Sequence, residues 1–427
     1  MKIGFDEFVP GESKVQFAGI YWGVPERYKI NEVLDRGWFG PGPMCHELEE
    51  RLAEYHGLKK ASLTNSGSSA NLLALAALKE LYDLQEGDEI IVPAVSFPTT
   101  VNPIIQLGLI PVFVDIELGT YNIDTSLLAE AHSPKARGVM LAHALGNPCD
   151  IDGVLDYFLS HDVLIFFEDC CDAMGSQYHS RKLKNEQPAM VGTSGAIATL
   201  SFYASHNMTC AGEGGAVLSN SKDLMRIVRS LRDWGKMCAC EPCPITVDPT
   251  RSCVLGYQES IDGLEGMDRR YTYATLGYNM QMTELQAAFG LAQMDRLGDF
   301  AFIRRRNFYA LQYFFEDYQE WFILPRFYEG SEPVPFCYPL TVRDEAPFTR
   351  LEIVRYLEEH KIETRQVFGG NLVRQPAYKN IRHRIGSSLE NSDKVMRDAF
   401  FVGVWPGIDM PRLDYMLTVF QDFLHGT

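Results

Sequence analysis

Thr64-Asn65-Ser66-Gly67-Ser68-Ser69-Ala70-Asn71 lies between a short apolar strand candidate, Ala61-Ser62-Leu63-Thr64, and a Leu- and Ala-rich helical stretch from Ser69 to Lys79. A strand that passes through a turn of small residues into a helix is the repeating unit of an α/β sheet. The same alternation continues outward. Glu89-Ile90-Ile91-Val92, Pro111-Val112-Phe113-Val114-Asp115, Gly138-Val139-Met140-Leu141-Ala142 and Val163-Leu164-Ile165-Phe166-Phe167 are strand candidates. Ile197-Ala198-Thr199-Leu200-Ser201-Phe202 and Gly215-Ala216-Val217-Leu218 complete the set. Continuous apolar runs separated by helical segments predict a mostly parallel sheet buried on both faces. A helix pattern from Cys45 to Tyr55 precedes the alternation, and the pattern fades after about Arg232. The stretch from about 235 to 270 is rich in Cys, Pro, Gly and Asp and is read as a long functional loop. A helix returns over Gln281 to Leu297. The expected division is an N-terminal segment plus large domain over 1–300 and a small α+β domain over 301–427.

The chain has 427 residues, 46% of them hydrophobic and 22% charged, as expected of a globular protein with room for two domains. No apolar run approaches the roughly 18 residues of a membrane span. The N-terminus has neither a basic start nor an apolar core, so a cytoplasmic protein is expected. A net charge of −17 argues against nucleic acid and anionic membranes as partners, but a small anionic ligand needs only local donors. Ten cysteines without an export signal point to thiols, metal ligation or catalysis rather than a disulfide scaffold.

Four constellations carry chemistry. In 64–71 the small residues let backbone amides approach an anion at a helix N-terminus, although a capped helix start explains Ser and Gly as well. Phe167-Glu168-Asp169-Cys170-Cys171-Asp172 follows an apolar strand, and a carboxylate there can keep a heterocyclic nitrogen protonated. The plainer alternative is a helix cap. Phe97, in Val95-Ser96-Phe97-Pro98-Thr99-Thr100, is placed to stack on a flat cofactor or simply to pack. Cys238-Ala239-Cys240, with Cys243 and Cys253 beyond it, suits a metal or an iron–sulfur cluster, because thiolates must converge to bind one. Unrelated free thiols are the alternative.

In this order, and with Ser201-Phe202, Gly212-Glu213-Gly214-Gly215 and Gly277-Tyr278-Asn279, the chain resembles the sugar aminotransferase and dehydratase family of the aspartate-aminotransferase fold. The likeness runs from about Phe17 to Met410. Within the family it looks most like the 3-dehydrases that act on nucleotide-linked 4-keto-6-deoxyhexoses. Those enzymes carry histidine where aminotransferases have the lysine that forms an imine with pyridoxal phosphate, and here His206 stands there, followed by Asn207 rather than a second histidine. The resemblance implies pyridoxamine phosphate (or pyridoxal phosphate) as cofactor, with Asp169 on the ring nitrogen and Phe97 stacked on the ring. It places Gly67, Ser68 and Ser201 on the phosphate and has Asn279 reach that phosphate from a second subunit, so a homodimer. His206 is the implied general base. Iron–sulfur members imply a 2Fe-2S cluster on Cys171, Cys238, Cys240 and Cys253, with Cys243 the other candidate for the fourth place. A flavin and iron–sulfur reductase is then the expected electron donor. The stretch 178–191 looks like a small insertion.

Three rivals stand beside this expectation. One is a cluster-free dehydratase that regenerates its amine from glutamate. Another is an ordinary sugar aminotransferase. The third is a non-catalytic sensor that binds a nucleotide sugar or a metal. Arg269, Arg270 and Arg374 are candidate diphosphate partners, or else ordinary surface pairs.

Overall fold

Five-residue runs buried on both faces become the inner strands of an eight-stranded sheet in the computed structural model of the protein. It describes residues 7–426, apart from 184–186, 239, 241–242, 249, 252 and 254–262 and the side chains of 246, 247 and 269. The sheet order is β1 (Lys60–Thr64), β9 (Gly215–Ser219), β8 (Ile197–Ser201), β5 (Ile165–Asp169), β4 (Ala136–Ala142), β2 (Glu89–Pro93), β3 (Ile110–Val114) and β14 (Arg384–Ile385). β9 runs antiparallel to both neighbours, and the other pairings are parallel. β1 therefore runs in the same sense as β8, and the C-terminal ends of β1, β2, β5 and β8 share one edge. Open α/β sheets bind ligands at that edge.

The helix Gly67–Leu81 packs on the sheet through Ala70, Leu73, Ala74 and Ala77, all fully buried. Alanines at helical spacing let its backbone lie close to β8 and β9. Ser66 caps it by accepting a hydrogen bond from the Ser69 amide. Helix Glu284–Met294, started by a reciprocal Thr283–Gln286 capping box, covers the opposite face. The helix expected to end at Leu297 ends at Met294, and a second helix, Leu297–Phe315, follows at once.

The C-terminal part builds an antiparallel sheet ordered β10 (Phe322–Ile323), β12 (Cys337–Val342), β15 (Ala399–Gly403) and β13 (Thr364–Arg365). Its core is aromatic, with Phe308, Phe315, Phe322, Tyr338 and Phe420 stacked edge to face or offset. Packing does not follow chain order strictly. Val15 bridges Ile362, and the Trp405 indole donates to the Gln16 carbonyl at 2.9 Å, so the N-terminal segment joins this second core. β14 returns from the C-terminal part to extend the large sheet beside β3. The suspected insertion is a hairpin of β6 (Gln177–Tyr178) and β7 (Ala189–Met190), held at its edge by β11 (Ser331–Glu332). Over 235–270 the described residues are irregular apart from the short helices Pro244–Val247 and Arg269–Tyr271. Among the described residues no helix is long and apolar enough to cross a membrane.

Candidate active site

Gly67, Ser68, Phe97, Asp169, Ser201 and His206 line one cavity of about 690 Å³ at the C-terminal edge of the sheet. They come from four separate strand ends, which the parallel topology brings together.

Asp169 ends β5 and is almost fully buried. Its Oδ2 accepts hydrogen bonds from Asn71 Nδ2 and Thr100 Oγ1, each at 2.8 Å, and its Oδ1 accepts from the Cys171 amide at 3.1 Å. A carboxylate has about four lone-pair sites, so three donors leave one for a group in the cavity. Asn71 is itself fixed by Thr199 Oγ1, which donates to its carbonyl, and by the Thr99 carbonyl, which accepts from its amide at 3.1 Å. The carboxylate is thus aimed before any ligand arrives. Behind it, His143 Nδ1 accepts from the Cys149 amide at 3.0 Å, so Nε2 carries the proton that meets Glu168 at 3.1 Å. Glu168 also accepts from the backbone amides of Gly192, Ser194 and Gly195, which anchors the end of β5.

Gly67 opens its helix against the end of β8. A Cβ there would lie 2.5 Å from Ser201 Cβ and 3.1 Å from Cys171 Sγ. Only glycine leaves room for an anion to reach the helix amides beside Ser68 and Ser201. Gly67→Ala is expected to weaken cofactor affinity by roughly tenfold to a hundredfold, the equivalent of about 1–3 kcal/mol of overpacking, as read by fluorescence titration. Phe97 remains 55% exposed although it is a large apolar side chain at the start of the helix Pro98–Gln106, and it faces the cavity. An oriented carboxylate, an accessible ring face and an anion cradle fit a flat, protonated heterocycle that bears a phosphate.

His206 sits in a turn whose backbone is held from outside the large sheet. Arg304 donates to the carbonyls of His206 at 3.1 Å and Phe336 at 2.9 Å. Burial pushes this guanidinium down to about 10, and nearby Cys337 and then Asp172 partly offset that. The His206 ring packs against Phe336, with centroids 5.5 Å apart.

The remaining sequence candidates are elsewhere. Asn279 is exposed, bridges Asp233 and does not line this cavity. Arg374 pairs with Asp393 and Arg270 with Asp268, while the Arg269 side chain lies outside the described residues. Arg365, which the sequence reading missed, is the arginine among the described lining residues, and its guanidinium lies over the Phe17 ring at 4.4 Å. Asn71, Thr100 and His143 were likewise missed. Asn71 and Thr100 lie inside the quoted motifs, but no spacing signals their convergence on Asp169.

The cysteines divide between two places. Cys171 lines the Asp169 cavity, where burial and then the Asp169 charge push its thiol well above the ordinary range. Cys238, Cys240, Cys243 and Cys253 line a second cavity of about 630 Å³. There Cys238 Sγ and Cys240 Sγ are 3.8 Å apart, and Cys240 is pushed up to about 11 by burial and the neighbouring thiols. Cys171 thus lines a different cavity from Cys238, Cys240 and Cys253. Among the described residues no three Cys, His, Asp or Glu side chains converge as metal ligands.

The chain has the aspartate-aminotransferase fold, shared with the solved pyridoxal-phosphate enzymes that superpose on it. Residues 24–421 match the DegT/DnrJ/EryC1/StrS aminotransferase family, and the chain is an enzyme of that family. It is 41% identical over 422 residues to the lipopolysaccharide biosynthesis protein RfbH of Salmonella typhimurium, covering 97% of this chain and 93% of the relative. It is 40% identical over 422 residues to the dTDP-4-dehydro-2,6-dideoxy-D-glucose 3-dehydratase of Saccharopolyspora spinosa, covering 98% and 88%. Among solved structures, the E. coli GDP-4-keto-6-deoxy-D-mannose-3-dehydratase with bound hydrated PLP superposes with a TM-score of 0.81 at 28% identity, covering 95% of this chain and 98% of that one.

Proposed function

We propose that this protein removes the 3-hydroxyl group of a nucleotide-linked 4-keto-6-deoxyhexose, using pyridoxamine phosphate held without a covalent bond. The observation that carries the reading is the composition of the Asp169 cavity. His206 lines it together with a cofactor-shaped set of side chains, and no lysine is among its described lining residues. A cavity of this kind can hold the cofactor but cannot tether it. The two dehydratases named above support the substrate class.

Asp169 would hold the ring nitrogen, Phe97 would stack on the ring, and Gly67, Ser68 and Ser201 would hold the phosphate. The bound cofactor would supply an amine that engages the 4-keto group and a ring that takes up the electron pair freed when a base removes a proton from the cofactor and passes it on to expel the 3-hydroxyl. His206 carries the proton at Nε2, first as base and then as acid toward the departing oxygen. Arg365 is the lining cation suited to a substrate phosphate. Asn279, exposed and off this cavity, would complete the phosphate site of a second subunit, which makes a homodimer the working unit.

A reductive variant of the reaction, with an iron–sulfur cluster fed by a reductase, is favoured by the four thiols on the second cavity. Cys171 lines a different cavity from Cys238, Cys240 and Cys253, and no step is routed through a cluster. Iron and sulfide analysis of anaerobically purified protein separates the branches. About two irons per chain, the content of one such cluster, supports the reductive branch, and iron-free protein with full dehydratase activity removes it.

The functional reading itself is tested by presenting GDP-, dTDP- and CDP-linked 4-keto-6-deoxyhexoses to protein loaded with pyridoxamine phosphate. Consumption of at least one of them, without formation of a 4-amino sugar, is expected. A 4-amino sugar as the main product would assign the chain to the aminotransferases instead.

A further inference from the structure

Asp172 and His206 face each other across the wall of the cavity. His206 Nδ1 lies 3.3 Å from Asp172 Oδ1, and each side chain is only 14% exposed. The pair does not form a hydrogen bond, so Nδ1 is buried without a hydrogen-bond partner. A buried imidazole nitrogen left in that state is costly, and a small rotation of the ring would align it. The two segments are already tied together. Asn207, the neighbour of His206, donates through Nδ2 to the Met174 carbonyl at 2.8 Å and to the Asp172 carbonyl at 3.5 Å. Arg304 fixes the His206 carbonyl from the other side.

We propose that Asp172 is the positioning residue of His206: its carboxylate accepts the Nδ1 proton, fixes the imidazole as the Nδ1–H tautomer and leaves Nε2 bare toward the cavity. This inference rests on the assignment of His206 as the proton carrier. The logic is that of any carboxylate–histidine pair, in which the carboxylate sets tautomer and ring orientation and supports the imidazolium as it forms. Asp172 itself touches neither substrate nor cofactor in this account. Its proximity to Arg304 offers a different, purely structural use of the same charge, and the two roles have separate signatures.

The test is the tautomer of His206, read from nitrogen-15 correlation spectra of histidine-labelled protein at pH 8, with and without pyridoxamine phosphate. The His206→Gln spectrum assigns the signal. The expected wild-type spectrum shows a protonated Nδ1 and an unprotonated Nε2. Asp172→Asn is expected to lose that preference and to lower kcat by about 10²-fold or more, with KM and cofactor affinity within about threefold. A wild-type His206 protonated on Nε2 overturns the proposal without needing any variant to fold. So does an Asp172→Asn protein that keeps both the tautomer and kcat while losing only thermal stability, the outcome of a structural role. If no sugar substrate is turned over, the function fails while the tautomer can still be read, so the two failures are distinguishable.

Discussion

His206→Gln is expected to lower kcat for 3-hydroxyl elimination by about 10³-fold, within the usual range for loss of a general acid–base, while cofactor affinity stays within a few-fold. Glutamine has similar reach but cannot exchange a proton near neutral pH. The contacts that hold this turn use the backbone: Arg304 binds the carbonyls of Ser205 and His206, and the His206 amide donates to the Tyr203 carbonyl at 3.1 Å. The turn therefore survives the substitution. What is lost is the packing of the ring on Phe336, its approach to Asp172 and the proton. The cofactor-holding groups, Asp169, Phe97 and the Gly67 cradle, come from other strand ends and are untouched. Single-turnover rates and a fluorescence titration on the same preparation check the two halves. Unimpaired elimination would remove His206 from the mechanism.

Asp169→Asn is expected to show the complementary pattern, with cofactor affinity weakened by about tenfold to a hundredfold and stability reduced by about 1–3 kcal/mol. Oδ2 accepts from Asn71 and Thr100 while Oδ1 accepts from the Cys171 amide. An amide offers one acceptor oxygen, so whichever way it is turned, its NH2 group faces at least one of these donors. A neutral side chain also cannot hold a proton on a ring nitrogen, and kcat should fall by at least about 10²-fold as the ring's capacity to take up electrons weakens. Denaturant melts, cofactor titration and steady-state kinetics read the three effects. If the variant binds the cofactor as tightly as wild type, Asp169 does not hold the ring.

Much of the large domain was legible because its strands are buried on both faces and so stand out as unbroken apolar runs. β2, β3, β5, β8 and β9 all fall within a residue or two of their expected bounds. The antiparallel sense of β9 was not legible, because burial on both faces leaves no trace of direction. The attachment of the N-terminal segment through Val15 and Gln16 to the second core spans several hundred residues and has no local signature. Asp169, Phe97 and the Gly67 turn were visible as strand-end motifs. Their supports were not. Thr100 and Asn71 reach Asp169 across 69 and 98 residues of chain. Arginines on the surface look alike in sequence; the structure pairs Arg374, Arg270 and Arg365 each with a nearby carboxylate, and of these three it is Arg365 that lines the Asp169 cavity. Cysteine order, similarly, does not say which cavity a thiol faces, and Cys171 faces a different one from the four loop cysteines.

The central claim is that the 3-hydroxyl leaves as water under the action of an untethered amine cofactor. It is tested most directly with a nucleotide-linked 4-keto-6-deoxyhexose carrying oxygen-18 at carbon 3. Protein loaded with pyridoxamine phosphate should release the label into water, and His206→Gln should release almost none in the same time. Consumption of the substrate with the label retained at carbon 3 of the product would contradict the account.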